Sequence, residues 1–159
     1  MKLQFKHQGF QRDAARAVVN VFRGQPRQDA FLYRKDVGKG VLELDTQGFR
    51  NHDIVLDDKA LTQNIREVQI GQDLQPIDIV LRDASGTLAF SIEMETGTGK
   101  TYTYIKTMYE LYKHYGWTKF IIVVPSVAIR EGVVKSLETM ADHFVEEYGE
   151  RMQHFVYNS

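Results

Sequence analysis

The sequence predicts an α/β fold built on a parallel sheet, with a mixed segment ahead of it. Two observations carry that prediction. The run Phe120–Val124 is continuously apolar and rich in β-branched residues, the composition of a parallel strand covered on both faces. Around it, residues 88–157 read as strand, turn, helix, strand, helix, strand, the alternation that right-handed crossovers produce.

Each element has a local cause. Ala14, Ala15, Val18, Val19 and Phe22 recur at helical spacing and predict a helix over Gln11–Phe22, stopped by Gly24 and Pro26. Between residues 31 and 85, the short apolar pieces Phe31–Tyr33, Val41–Leu44, Ile54–Leu56 and Ile77–Leu81 read as strands broken by polar, glycine-containing turns. Within this stretch Asp57 or Asp58 is placed to cap a short helix running to about Ile70 and ended by Gly71. Leu88, Phe90, Ile92 and Met94 alternate as a strand does. Residues 100–115 carry Ile105, Met108, Tyr109 and Tyr112 on one helical face, with Gly116 as the stop. Pro125 closes the Phe120–Val124 strand. Val133, Leu137, Met140, Phe144 and Tyr148 then mark a long helix, and Phe155–Tyr157 starts a further strand.

A chain of 159 residues that is 43% hydrophobic can bury a core, either as one domain or as part of a larger protein. The absence of cysteine excludes disulfides, thiolate metal sites and cysteine nucleophiles together, and fits a reducing compartment. No apolar run approaches the roughly 20 residues that span a bilayer, and the N-terminus lacks a signal-peptide core, so no membrane association and a cytoplasmic location are expected. The net charge of −1 gives no polyelectrolyte signature, but it is unevenly laid out. Residues 1–30 carry Lys2, Lys6, Arg12, Arg16, Arg23 and Arg27 against two acids, whereas residues 31–99 are net acidic. A solvated surface accounts for this pattern, and the basic start is also suited to a nearby phosphate. His7, His52, His114, His143 and His154 show neither metal nor triad spacing and read as surface or core residues. Glu146-Glu147 reads as a solvated helix face.

The chemistry-bearing segment is Glu95-Thr96-Gly97-Thr98-Gly99-Lys100-Thr101, between a predicted strand and a predicted helix, the context a phosphate-binding loop requires. Gly97 and Gly99 let the backbone turn so that successive N–H groups, including those of Thr96 and Thr98, point at phosphate oxygens. The helix beginning near Lys100 adds unpaired N–H groups and the positive end of its dipole. Lys100 can reach β- and γ-phosphates, and the Thr101 hydroxyl can ligate Mg2+, a hard cation that prefers oxygen. The alternative is a glycine-rich turn with an exposed lysine.

Met94 stands where the general G-x-x-x-x-G-K-[ST] pattern has its first glycine, and this departure resembles the A-x-x-G-x-G-K-T loop of superfamily 2 helicases and translocases. Phe10-Gln11-Arg12-Asp13-Ala14 resembles the glutamine motif of that superfamily, in which the glutamine amide reads the adenine edge; Phe10 or Phe5 would pack near the base. Val124-Pro125-Ser126 resembles motif Ia, where a strand ends at proline and a hydroxyl residue meets the nucleic-acid backbone. Val127 replaces a common arginine there, which leaves Arg130 a weaker phosphate contact than Ser126. The phrases Met94–Tyr104 and Ile121–Gly132 are most similar to the restriction subunit of type III restriction–modification enzymes, and Lys2-Leu3-Gln4-Phe5 with Gln8 and Gln11 agrees.

That resemblance implies a RecA-like motor domain, ATP and Mg2+ as cofactors, double-stranded DNA as substrate, and DNA cleavage dependent on ATP hydrolysis. It further implies a partner DNA-methyltransferase (modification) subunit, which would carry S-adenosylmethionine. The expected layout is an N-terminal helix with the glutamine motif over residues 1–30, an insertion or small mixed subdomain over 31–86, and the first part of the motor domain over 87–159. No acidic DEx[HD]-type motif follows residue 124, and no nuclease carboxylate cluster is evident, so an N-terminal fragment inactive by itself is expected. Two other readings stand beside this one. They are another superfamily 2 motor, such as a type I restriction motor or a repair helicase, and a stand-alone P-loop module or kinase with no DNA role.

Overall fold

In a computed structural model, the structure describes residues 8–28, 31–34, 47–80 and 82–157. Four helices dominate: α1 (Gly9–Val21), α2 (Asp58–Ile70), α3 (Lys100–Tyr115) and α4 (Val127–Tyr148). Strands β1 (Phe31–Arg34) and β2 (Gln47–Arg50) form a two-stranded antiparallel ribbon, with Phe31 opposite Arg50 and Arg34 opposite Gln47.

The helix ends follow from local chemistry. The Asp57 carboxylate accepts the Ala60 N–H at 2.7 Å and starts α2, which stops at Gly71. Ser126 caps α4 in the same way, through the Ile129 N–H at 3.3 Å. Gly116 and Gly149 end α3 and α4 in the left-handed conformation. At Gly116 no other residue fits, because a Cβ there would stand 1.9 Å from the Gln28 carbonyl oxygen.

α3 is the central element, with nine of its sixteen residues buried. On one side it shares a core with α1 and α2 through Val19, Val21, Phe22, Leu61, Ile65, Leu111, Tyr115 and Trp117. Phe22 stands edge-on to Trp117, with ring centroids 5.0 Å apart. On the other side Tyr102, Ile105, Met108 and Tyr109 pack against Phe144 of α4. Gln25, almost fully buried, holds the chain before α2 by donating to the Asp53 carbonyl and accepting the Val55 N–H. Asn51 and His52 bind the backbone at Tyr115, Thr118 and Lys119, fastening the same stretch to the end of α3.

The predicted parallel sheet, and with it the partial RecA-like architecture, is overturned: the described residues are chiefly helical and their only ladder is the antiparallel ribbon. Among the described residues Phe120–Val124 has no strand partner, and Ile121 and Val123 are 91% and 87% exposed while Phe120 tucks against both cores. The alternating segment 88–94 makes one isolated bridge, Leu88 with Arg82, and leaves Phe90 and Ile92 exposed. Ile54–Leu56, Ile77–Val80 and Phe155–Tyr157 likewise form no strand. Apolar periodicity reports which side chains avoid water, but a strand also needs a neighbour for its N–H and C=O groups, and no pattern within the segment supplies one. Val41–Leu44 and Leu81 lie outside the described residues. Among the described residues, no helix is long and apolar enough to cross a membrane.

Candidate functional site

Two glycines in the left-handed region shape the turn before α3. Gly97 has φ 82° and Gly99 φ 86°, a conformation that costs an L-residue about 1–2 kcal/mol. Gly99 is also the N-cap of α3 and brings no side chain to its first-turn N–H groups, unlike Asp57 at α2 and Ser126 at α4.

The Glu95 carbonyl anchors the turn from inside. It accepts the Thr98 N–H at 3.4 Å, the Thr98 hydroxyl at 2.6 Å and the Lys100 ammonium at 2.7 Å. Lys100 is exposed and folds back over the turn it follows. Its flexible four-carbon stem lets the ammonium exchange this neutral carbonyl for a charged oxygen, which makes the stronger hydrogen bond.

Packing of α1 on α3 brings a residue 87 positions earlier to the same place. Gln11 is buried, and its Nε2 donates to the Thr98 carbonyl at 2.8 Å. A Cβ on Gly99 would stand 2.4 Å from that nitrogen, so the glutamine is seated directly on the second glycine. The amide keeps a second N–H and a carbonyl, a donor and an acceptor side by side.

The structure therefore assembles Gln11, Thr98, Gly99 and Lys100. Thr96 and Gly97 are exposed beside them, and Thr101 is half-buried in the first turn of α3. Phe10 is 49% exposed and Phe5 lies outside the described residues. Pro125 and Ser126 are exposed at the start of α4. There the Ser126 hydroxyl serves as a helix cap, and the Arg130 guanidinium pairs with Glu131 at 3.1 Å. Among the described residues, no group of three His, Asp or Glu is disposed to hold a metal ion.

Sequence patterning missed a part-buried polar ladder between α3 and α4. Tyr102 Oη lies 3.0 Å from His143 Nε2. One turn on, the Lys106 ammonium, its side chain 7% exposed, donates to Glu147 Oε1 and to the Tyr148 hydroxyl at 3.0 Å. That hydroxyl in turn donates to Glu110 Oε1 at 2.6 Å. Burial, reinforced by the Glu110 hydrogen bond, pushes the Tyr148 phenol far up, and burial together with the Glu147 charge pushes Tyr102 up to about 12. Glu146 and Glu147 are exposed, as their helical pattern suggested, but the Glu147 carboxylate is also engaged by Lys106. The available signal was the i,i+4 pairing of His143 with Glu147 and of Phe144 with Tyr148 on one face of α4.

Residues 54–156 match the family described as "Type III restriction enzyme, res subunit". The Res subunit of the type III restriction–modification enzyme EcoPI from Escherichia phage P1 is 38% identical over 113 residues, 69% of this chain and 11% of that protein. The EcoP15I Res subunit from Escherichia coli is 47% identical over 70 residues, covering 43% of this chain and 7% of that protein. The StyLTI Res subunit from Salmonella typhimurium is 61% identical over 41 residues, 26% of this chain and 4% of that protein. The chain thus spans about a tenth or less of the curated relatives it matches.

Proposed function

The chain belongs to the type III restriction enzyme res subunit family, and from that premise we propose that it forms the ATP-binding part of a DNA-translocating, DNA-cleaving restriction subunit. The observation that carries the reading is the hydrogen bond from Gln11 to the Thr98 carbonyl, which unites two distant segments at one turn. In this reading Thr96–Gly99 and the first N–H groups of α3 surround the phosphates. Lys100 leaves the Glu95 carbonyl for the β- and γ-phosphate oxygens, and the Thr101 hydroxyl faces Mg2+. Gln11 keeps one N–H on the loop and offers its remaining donor and acceptor to the adenine edge, so base identity and loop geometry meet in one side chain. Phe10 flanks the base.

The start of α4 is the proposed DNA contact. Pro125 and Ser126 would shape the approach of a phosphate, with Arg130 adding charge, and such contacts position a strand without reading its sequence. The curated relatives are named as subunits of restriction–modification enzymes, which supports a modification subunit as partner and S-adenosylmethionine as that partner's ligand only.

The test is ATP-dependent cleavage of DNA by the whole protein with its modification subunit. Lys100→Ala is expected to abolish cleavage, and retained cleavage would refute the loop assignment.

A further inference from the structure

The two sites proposed above sit at the beginnings of two helices. Lys100 opens α3, and Ser126 caps α4. Helices are stiff, so the seating of α4 on α3 sets where Ser126 and Arg130 stand relative to the 95–101 turn.

Two kinds of contact fix that seating. The first is a stack of aromatic rings: Phe144 lies near-parallel to Tyr102 and Tyr109, with centroids 5.2 and 4.9 Å apart, and Tyr109 stacks on Tyr148 at 5.0 Å. Flat rings stacked this way slide at small cost and define register loosely. The second is the polar ladder, whose rungs lie one turn apart along α3: Tyr102 with His143, Lys106 with Glu147, and Glu110 with Tyr148. A slip of one turn would break every rung and strand a buried ammonium, so the ladder admits one seating. A buried ion pair adds little stability over apolar side chains of the same volume, and fixing a register is the use for which such pairs are best attested.

Lys106 is the central rung, and its ammonium donates to two residues of α4, Glu147 and Tyr148. With Glu147 it also lines a cleft of about 610 Å³ that opens on Gln8, Gly9 and Arg12, the segment bearing Gln11. We propose that Lys106 is a positioning residue that locks α4 onto α3 and thereby couples the nucleotide turn to the DNA-facing start of α4. This inference rests on the functional reading above.

The experiment measures ATP hydrolysis by the whole protein with its modification subunit, with and without DNA, alongside thermal unfolding. Lys106→Met alone strands Glu147 and destabilises. The diagnostic variant is therefore Lys106→Met/Glu147→Leu, which removes both charges and keeps the packing. It is expected to fold and to retain basal hydrolysis while losing about ten-fold in DNA stimulation. Lys106→Arg, which keeps the charge and the donors, is expected to restore most of it. Full DNA stimulation in the folded double variant would overturn the coupling role. A parent protein without any DNA-stimulated hydrolysis would overturn this inference and the functional reading together.

Discussion

Gly99 and Gln11 form a pair whose energetics can be worked from the structure. In Gly99→Ala the new Cβ meets Gln11 Nε2 at 2.4 Å, far inside contact distance, at a backbone φ of 86°. The left-handed conformation costs an alanine about 1–2 kcal/mol. Because the clashing atom is the end of a flexible side chain, the glutamine swings away rather than the backbone, and its 2.8 Å bond to the Thr98 carbonyl is lost. That loss costs about 1 kcal/mol. Gly99→Ala should therefore destabilise by about 2–3 kcal/mol, and Gln11→Ala by about 1 kcal/mol for the same bond. In Gln11→Ala/Gly99→Ala the clash has no partner and the bond is already gone, so the double variant should cost about 1 kcal/mol less than the two singles added. Urea unfolding followed by circular dichroism supplies all four midpoints of the cycle. Strict additivity would refute the direct seating of Gln11 on Gly99.

Two more perturbations probe the frame around the site. Gly116→Ala places a Cβ 1.9 Å from the Gln28 carbonyl at φ 76°, and here the obstacle is backbone. A loss of about 3 kcal/mol or more is expected in thermal unfolding, and an unchanged midpoint would contradict the close approach of the two segments. The Asp58 carboxyl is held below its usual range by Arg82, and that of Glu67 by Gln63 and then Arg23. A carboxyl that titrates lower when folded stabilises at neutral pH, and that contribution fades as pH falls below the group's ordinary value and through the lower folded one. Stability should thus fall more between pH 5 and 3 in the parent than in Asp58→Asn/Glu67→Gln; parallel profiles would remove these pairs from acid sensitivity.

What was legible in the sequence is what is decided locally. Asp57 as cap, Gly71 and Gly116 as stops, and the spacing of Ile105, Met108 and Tyr109 each act within a turn or two, and α2 and α3 appear where they predict. The parallel sheet failed because strand pairing is a relation between distant segments. The apolarity of Ile121 and Val123 is equally that of exposed, unpaired chain. In the site, the glycines and Lys100 were legible from their spacing, and Gln11 from its resemblance to a known motif. The ladder was not, because a lysine and a glutamate on amphipathic helices look like solvent-facing residues. Lys106 is buried only because α4 lays Glu147, 41 positions away, against it.

The central claim is that the turn over residues 95–101 binds ATP through Lys100. Its most direct measurement is equilibrium titration of the whole protein with a fluorescent ATP analogue in the presence of Mg2+, comparing the parent with Lys100→Ala. Saturable binding in the parent, displaced by unlabelled ATP and lost in a variant that still unfolds cooperatively, is the predicted result. Equal affinity in the two proteins would contradict it.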